Sequence, residues 1–256
     1  MSKIAAAALI LSAFISGTAV AAEPAKPTVV LVHGAFADSS SWNGVIAAVH
    51  AKGYPVVAAA NPLRSVAADA AYVSDIVGNI DGPVVLVGHS YGGEVITAAA
   101  NGHANVKSLV YVAAFAPDKG ESAADLAGKF PGSTLSGALA APVKLASGGV
   151  DLYIDQSKFR SQFAHDVPAD AAALMAAGQR PITEAALGEK AGDPAWKHVP
   201  SWFVYGSGDK NIPAKSLAFM AERAGSKHTV VVDGASHVVM VSHPKTVAKL
   251  IEEAAR

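Results

Sequence analysis

One serine of the chain lies in a pattern that is typical of an enzyme nucleophile. The pentapeptide GHSYG at positions 88–92 has the form G-x-S-x-G, follows the apolar run at 83–87 and opens a segment with helical periodicity. In such a strand, turn and helix, the glycines make room for a sharp turn that holds the serine hydroxyl clear of the backbone. The pattern therefore predicts that Ser90 is a nucleophile. A glycine-rich turn with a capping serine would carry the same letters, so other residues have to support the prediction.

Two residues further along the chain can activate that serine. A hydroxyl becomes nucleophilic when a neutral imidazole accepts its proton, and a carboxylate fixes the tautomer of the imidazole. Asp209 and His237 each come shortly after an apolar run, in the segments GSGD and GASH. Because the carboxyl ends of parallel strands share one edge of a sheet, we expect Ser90, Asp209 and His237 to form a catalytic triad there. Asp233 is the alternative acid, although it lies at the strand end itself.

The loop after the first apolar run can stabilise negative charge. The segment HGAF at positions 33–36 ends that run. A backbone N–H of such a loop, together with the N–H of the residue after the nucleophile, forms an oxyanion hole in serine hydrolases with this type of turn. We therefore assign the two donors to Ala35 and Tyr91, and we expect Phe36 to contact the substrate. His33 is interpreted as a structural residue.

The sequence gives no catalytic or metal-binding role to the other groups that could do chemistry. Glu94 lies in the first turn of the helix after Ser90, where a negative charge stabilises the helix dipole. The chain has no cysteine, and His237 and His243 do not fit the H-E-x-x-H spacing of a zinc site. We therefore expect neither a metal nor another cofactor.

Strands and helices alternate in the pattern that would position these residues. Continuous apolar runs rich in valine suit a parallel sheet that is buried on both faces. Between them, apolar residues recur at helical spacing, which predicts amphipathic helices on the sheet. The pattern predicts an α/β fold with about six mostly parallel strands flanked by helices. The predicted strands are 28–32, 55–59, 83–87, 109–113, 201–205 and 227–232.

One long segment interrupts this alternation. Residues 117–200 are far more than one crossover requires and contain several short helical patterns, including one at 170–177. We interpret the segment as a helical lid inserted between the fourth and fifth strands, within a single domain at 23–256. Its apolar residues, together with Phe36, are expected to form the acyl and alcohol pockets. They are Phe130, Leu135, Leu139, Leu152, Tyr153, Phe159, Phe163, Leu174 and Met175.

The N-terminus has the pattern of an export signal. Residues 1–22 carry Lys3, then an apolar run at 4–15, then small residues that end in the AVAA of positions 19–22. A bilayer span needs about 20 apolar residues, so the 12 present predict a cleaved signal peptide and no stable membrane anchor. We expect the mature protein to be periplasmic or secreted.

The composition favours a folded protein that acts on small molecules. Of the 256 residues, 51% are hydrophobic and 16% are charged, with 20 basic against 21 acidic side chains. Such a chain can bury a core, and it has no basic excess that could neutralise a run of phosphates. We therefore expect no nucleic-acid partner, and the oligomeric state stays open.

The motifs together resemble a known family. LVHGAFADSSSW, VLVGHSYGG, YGSGDKNIP and GASHVVMVSHP are similar to segments of α/β-hydrolases, in particular the small branch of plant methyl esterases, hydroxynitrile lyases and bacterial esterase-like proteins. The resemblance covers residues 28–255. It implies the α/β-hydrolase fold and a cofactor-free serine hydrolase with Ser90, Asp209 and His237 as its triad. We expect a carboxylic ester hydrolase that acts on small to medium esters through an acyl-enzyme on Ser90.

Two alternatives remain open on the same scaffold. The first is a carbon-carbon lyase that uses the triad as a base, and the second is a catalytically silent binding protein. In the hydroxynitrile lyases that the chain resembles, a lysine directly follows the catalytic histidine and holds the departing cyanide, whereas Val238 occupies that position here. An apolar side chain cannot compensate an anion in a closed site. We therefore expect ester hydrolysis and no cleavage of cyanohydrins.

Overall fold

The structure, a computed structural model, describes residues 25–256, so the predicted signal peptide at 1–22 lies outside the described part. Within that part the strands are β1 Thr28–Val32, β2 Val56–Ala59, β3 Val84–His89, β4 Val106–Val112, β5 Val143–Lys144, β6 Val150–Leu152, β7 Ile182–Thr183, β8 Ser201–Gly206 and β9 Thr229–Val232. The α-helices are α1 Asn43–His50, α2 Val66–Gly78, α3 Tyr91–Ala99, α4 Ala123–Gly128, α5 Gln156–Phe163, α6 Ala169–Gly178, α7 Glu184–Gly188, α8 Ala214–Arg223, α9 Val239–Ser242 and α10 Pro244–Ala254. Short 3₁₀ helices span Ser39–Trp42, Leu135–Ala138 and Ala195–Lys197.

Six of these strands form one parallel sheet, as the apolar runs predict. Its order is β2-β1-β3-β4-β8-β9, and every neighbouring pair is parallel. β3 is buried along its whole length because helices cover both faces, whereas the edge strand β9 is partly exposed. The α/β prediction is therefore confirmed, and continuous burial applies to the centre of the sheet rather than to its edges.

The strand order creates a crevice at one place on the sheet. β1 and β3 are neighbours, but the chain continues from β1 outward to β2 and from β3 in the opposite direction to β4. The loops that follow β1 and β3 therefore diverge, and ligands of open parallel sheets bind in such a crevice at the carboxyl ends of the strands. The segments at 33–36 and 88–92 lie there.

The flanking helices pack in pairs. α1 packs against α10, and α2 packs against α3. Val247, Leu250 and Ile251 of α10 are buried on one face, as their helical spacing predicts. Burying an aliphatic side chain of this size contributes about 1.5–3 kcal/mol relative to leaving it exposed. No helix in residues 25–256 is long and apolar enough to cross a membrane.

The insertion (residues 117–200) contains helices, as expected, and also a small sheet that the sequence pattern did not predict. β5, β6 and β7 pair in antiparallel fashion, and each has two or three residues. Strands of that length are too short to show a period of two. Arg64, which precedes α2, donates to Asp151 of β6 over 2.7 Å and to the carbonyl of Pro181 over 2.9 Å. These bonds attach the small sheet to the loop between β2 and α2.

Candidate active site

Ser90 lies in a strained turn between β3 and α3. Its backbone has φ 53° and ψ −124°, and a non-glycine residue rarely adopts such a positive φ. A Cβ atom on Gly88 would lie 2.5 Å from the carbonyl oxygen of Gly92, and one on Gly92 would lie 2.4 Å from that of Val32. Glycine is therefore required on both sides of the turn, which explains the G-x-S-x-G pattern.

His237 and Asp209 form a buried hydrogen-bonded pair. Nδ1 of His237 donates to Oδ2 of Asp209 over 2.6 Å, and the two side chains are 1% and 0% exposed. Oδ1 of Asp209 accepts the backbone N–H groups of Asn211 and Ile212 over 2.7 and 3.0 Å. The carboxylate is thus fixed by three donors. With its proton on Nδ1, the imidazole has a free lone pair on Nε2.

Asp233, the alternative acid, lies elsewhere. Its side chain is exposed, and its Oδ1 accepts the hydroxyl of Ser207 over 2.9 Å. That hydroxyl in turn accepts the N–H of Gly234 over 2.7 Å. Asp233 therefore supports the turn after β9, whereas Asp209 contacts the histidine.

His89 joins the nucleophile turn to the histidine loop, a role that sequence reasoning missed. Nε2 of His89 lies 3.1 Å from the carbonyl oxygen of His237, and their ring centroids are 4.8 Å apart. A carbonyl can only accept, so Nε2 of His89 carries the proton and donates. Burial is the main cause that holds the pKa of His89 well below its usual value, and repulsion from His237 when that ring is protonated is a smaller one, so the ring of His89 is neutral. Ser90 follows His89 directly, so this bond brings the turn and the histidine loop together.

The Ser90 hydroxyl and the free nitrogen of His237 are both available. Within residues 25–256, neither Oγ of Ser90 nor Nε2 of His237 has a hydrogen-bond partner. Catalytic hydrogen bonds are often long before substrate binds and tighten in the complex. The two groups are therefore not hydrogen-bonded to each other in this structure, and both are free to exchange a proton when a substrate binds.

The loop at 33–36 packs against the nucleophile turn. A Cβ atom on Gly34 would lie 2.7 Å from Cβ of Ser90 and 3.0 Å from the backbone nitrogen of Tyr91, so only glycine permits this approach. The N–H of Phe36 donates to the carbonyl of Arg180 over 2.9 Å. In contrast, the N–H groups of Ala35 and Tyr91 have no partner in the described part of the chain. The two N–H groups that are predicted to form the oxyanion hole are thus both unpaired, and they lie where this loop packs against the nucleophile turn.

A mainly apolar cavity of about 300 Å³ opens beside Ser90. Ala35, Tyr91 and Phe36 contribute to its wall, and the insertion supplies most of the rest. Phe36 has φ 61° and also lines a second cavity of about 330 Å³. Of the apolar residues expected in the pockets, Leu135 and Leu139 line the first cavity, Leu174 and Met175 line the second, and Phe159 and Phe163 are fully buried in the core.

The insertion also fixes the loop that carries the histidine. Oδ2 of Asp166 accepts the N–H of Ser236 over 3.1 Å. Nε2 of His165 donates to the carbonyl of Gly234 over 3.0 Å. The ring of Phe163 packs at 5.2 Å from the ring of His237. The insertion therefore shapes the cavity and also positions the imidazole.

Two structural interpretations from the sequence have different outcomes. Nδ1 of His33 donates to the carbonyl of Gly34 over 3.0 Å in a buried site, in keeping with a structural residue. The expectation that Glu94 carries a negative charge is wrong. Burial, with repulsion from Glu189 as the next cause, raises the pKa of Glu94 to about 9, so the side chain is neutral at pH 7. The helix begins too deep in the protein for the carboxylate to be solvated.

Comparisons with known proteins agree with this architecture. The model of a family described as "Alpha/beta hydrolase family" matches residues 29–250. An alpha/beta hydrolase named nvfD from Aspergillus novofumigatus (strain IBT 16806) is 26% identical over 255 residues, covering 90% of this chain and 97% of that protein. A carbendazim hydrolyzing esterase from Nocardioides sp. (strain SG-4G) is 36% identical over 109 residues, 36% of this chain and 44% of that protein.

A solved structure shares the fold over the same region. Polyneuridine aldehyde esterase superimposes with a TM-score of 0.78 at 18% identity, covering 90% of this chain and all of that one. A likeness at such low identity concerns the fold, whereas the family model matches most of the sequence. With a parallel six-stranded sheet, a strained serine after β3 and a buried histidine and aspartate pair at the same sheet edge, the chain belongs to the alpha/beta hydrolase family.

Proposed function

We propose that the protein is a serine esterase that hydrolyses carboxylic esters of small to medium size through an acyl-enzyme on Ser90. The observation that carries this proposal is the 2.6 Å hydrogen bond between His237 and Asp209, beside a serine in a strained turn. The esterase names of one sequence relative and of one structural neighbour support the reaction class.

The first half of the reaction forms the acyl-enzyme. Oγ of Ser90 attacks the carbonyl carbon of the ester, and Nε2 of His237 accepts the hydroxyl proton. Asp209 stabilises the imidazolium that results. The negative charge on the former carbonyl oxygen accepts hydrogen bonds from the N–H groups of Ala35 and Tyr91, and one such donor contributes about 10²–10³-fold to kcat. The intermediate then collapses, and His237 transfers its proton to the departing alcohol oxygen.

The second half regenerates the enzyme. A water molecule gives a proton to Nε2 of His237, and its oxygen attacks the acyl carbon. The same two N–H groups stabilise the second oxyanion. Collapse breaks the bond to Oγ of Ser90, which recovers its proton from His237, and the carboxylic acid leaves. No step needs a metal or another cofactor.

The cavity beside Ser90 is suited to the acyl group. It is lined by Ser90, by the residues of both oxyanion donors and by the insertion, and His237 is not among its described lining residues. The leaving alcohol has to lie on the side of His237, which protonates it, so the acyl group lies in the cavity. At about 30 Å³ for each water-sized group, 300 Å³ accommodates about ten non-hydrogen atoms.

A parallel assay distinguishes the esterase from the lyase and from the silent protein. Mature protein is incubated with p-nitrophenyl esters of increasing acyl length and, separately, with mandelonitrile. We expect hydrolysis of the short and medium esters, loss of that hydrolysis in Ser90→Ala, and no aldehyde from mandelonitrile because Val238 is apolar and buried. Ser90-dependent aldehyde release without ester hydrolysis would establish the lyase. No turnover of any ester or cyanohydrin would favour the silent binding protein.

The place of action is part of the proposal. The tripartite pattern of residues 1–22 supports export, cleavage and a periplasmic or secreted mature protein. The partner that this account requires is a small-molecule ester, without nucleic acid.

A further inference from the structure

We propose that Asn211 selects acyl groups that carry a hydrogen-bond acceptor, such as a ketone oxygen, away from the scissile ester. The inference deepens the proposed esterase function and rests on it. It concerns the side chain of Asn211, whose backbone N–H is already used by Asp209.

A buried glutamine determines which way the Asn211 amide points. Nε2 of Gln162 lies 2.9 Å from the carbonyl oxygen of Lys210, which can only accept, so the NH₂ group of Gln162 must face it. The other end, Oε1, accepts the hydroxyl of Thr134 over 2.9 Å. The same NH₂ group lies 2.8 Å from Asn211, so Asn211 must present its acceptor, Oδ1, to Gln162. Its NH₂ group is therefore directed away from Gln162.

That NH₂ group is an unpaired donor in the cavity wall. Asn211 is 3% exposed and lines the cavity beside Ser90. Its Nδ2 bonds to no residue within 25–256 and is not fully buried, so we infer that it faces the cavity that Asn211 lines. The hydroxyl of Tyr91, which also lines this cavity, donates to Asp69 over 2.9 Å and is therefore already paired. Ser133 and Ser136 also line the cavity, but both are exposed at its rim.

A mainly apolar wall makes this donor selective. A saturated acyl chain would displace water from Nδ2 of Asn211 and leave the donor without a partner, which costs free energy. A keto oxygen in the same place would accept from it. One neutral hydrogen bond of this kind corresponds to about tenfold in affinity. We therefore expect the cavity to prefer an oxo-acyl group to its methylene counterpart by about that factor.

The test compares matched substrates. The p-nitrophenyl esters of heptanoate and of oxoheptanoates, with the keto group on the fourth, fifth or sixth carbon, are hydrolysed by the wild-type protein. Each kcat/KM is divided by the rate of hydroxide hydrolysis, which removes the electronic effect of the ketone. We expect at least one oxo ester to be preferred about tenfold over heptanoate, and the preference to fall to near one in Asn211→Ala.

Two variants serve as controls. Ser136→Ala removes a polar group from the rim of the same cavity and should keep the preference for the oxo ester. Asn211→Asp has the same shape but presents an acceptor in place of the donor, so it should reject the oxo ester. A preference that Ser136→Ala abolishes and Asn211→Ala retains would overturn the assignment.

A binding measurement separates this inference from the proposed reaction. Calorimetry with Ser90→Ala, which retains the cavity, measures the affinity for methyl heptanoate and for its oxo counterparts. Tighter binding of an oxo ester, lost in Ser90→Ala combined with Asn211→Ala, supports the inference even if the chemistry has been misassigned. Equal binding of both esters, with normal ester hydrolysis by the wild-type protein, would overturn the inference and leave the esterase proposal intact.

Discussion

At the scale of single residues, the choice between two aspartates depends on which carboxylate contacts His237. Asp209 does so over 2.6 Å in a buried site, while Asp233 is exposed and accepts from Ser207. A carboxylate that holds the correct tautomer of the imidazole is worth about 10⁴-fold in kcat in other triads.

Substitution of the two acids tests this assignment. We expect Asp209→Asn to lower kcat by about 10³–10⁴-fold, because the amide can donate to Nδ1 and stabilise the wrong tautomer. Asp233→Asn is the matched control, and we expect less than a threefold change. Steady-state kinetics with one p-nitrophenyl ester measures both. A larger loss in Asp233→Asn than in Asp209→Asn would contradict the assignment.

The sequence alone could predict residues that a short motif or strand-end position marks. Ser90, Asp209 and His237 follow apolar runs, and the structure places all three at one sheet edge. The bond from His89 to the carbonyl of His237 joins positions 148 residues apart, so no local pattern could reveal it. The orientation of Asn211 depends likewise on Gln162, which comes from the insertion.

At the scale of elements, the loop after β1 approaches the turn after β3 so closely that only glycine fits at position 34. Gly34 has no room for a Cβ, since Cβ of Ser90 and the nitrogen of Tyr91 lie 2.7 and 3.0 Å from that point. Any larger residue has to move the N–H of Ala35.

This approach gives a second prediction. We expect Gly34→Ala to lower kcat by about 10²-fold, the effect of losing one oxyanion donor, while the protein remains folded by circular dichroism. Gly192→Ala is the control, because a Cβ at Gly192 meets nothing within 4 Å. Kinetics with the same ester measures both. Unchanged kcat in Gly34→Ala would show that this loop does not take part in catalysis.

The helix α3, which follows Ser90, contains a buried carboxyl group, that of Glu94, which does not line the cavity. The pKa of Glu94 is raised from 4.5 to about 9, chiefly by burial. Between those pH values the folded protein keeps the proton and the unfolded chain loses it, so this group makes stability fall as pH rises through that window. At pH 7 the cost is on the order of 3 kcal/mol.

Glu94→Gln removes this titration and provides the third prediction. We expect the variant to gain free energy of unfolding relative to the wild type as pH rises from 5 to 8, by a few kcal/mol in urea denaturation. Glu222→Gln, an exposed change on α8, should leave the pH dependence unaltered. The same pH slope in Glu94→Gln and in the wild type would contradict the buried neutral carboxyl.

Strands and helices could be predicted from the sequence where the apolar pattern is long. The burial of a single side chain could not, because it depends on how distant segments pack. The six strands of the main sheet and the helix at 244–254 match their patterns. The three short strands of the insertion carry no such pattern. From the sequence, Glu94 has the position of an ordinary carboxylate at a helix start. The structure shows that it is buried, with residues of the insertion beside it.

At the scale of the whole molecule, the expected export signal defines the fourth prediction. We expect Edman or mass-spectrometric sequencing of protein from its native host to begin near residue 22 or 23, because the small residues at 19–22 suit signal peptidase. Replacing Leu9 and Ile10 by arginine should retain the precursor in the cytoplasm. An intact Met1 or Ser2 on the wild-type protein would contradict export by this route.

The family follows from the sequence, and the substrate does not. The motifs indicate an alpha/beta hydrolase, and the family model matches residues 29–250. The insertion lines most of the cavity beside Ser90, and its apolar residues divide among two cavities and the core in a way that composition does not determine.

The central claim is that Ser90 is the nucleophile of an acyl-transfer reaction, and labelling with a fluorophosphonate tests it most directly. Attack by Oγ of Ser90 on phosphorus expels fluoride and leaves a stable adduct whose mass can be measured on the intact protein and on its peptides. We predict one adduct for each folded wild-type chain, located on the peptide that contains Ser90, and none on Ser90→Ala. An adduct that persists in Ser90→Ala, or that maps to another residue of the wild-type protein, would contradict the account.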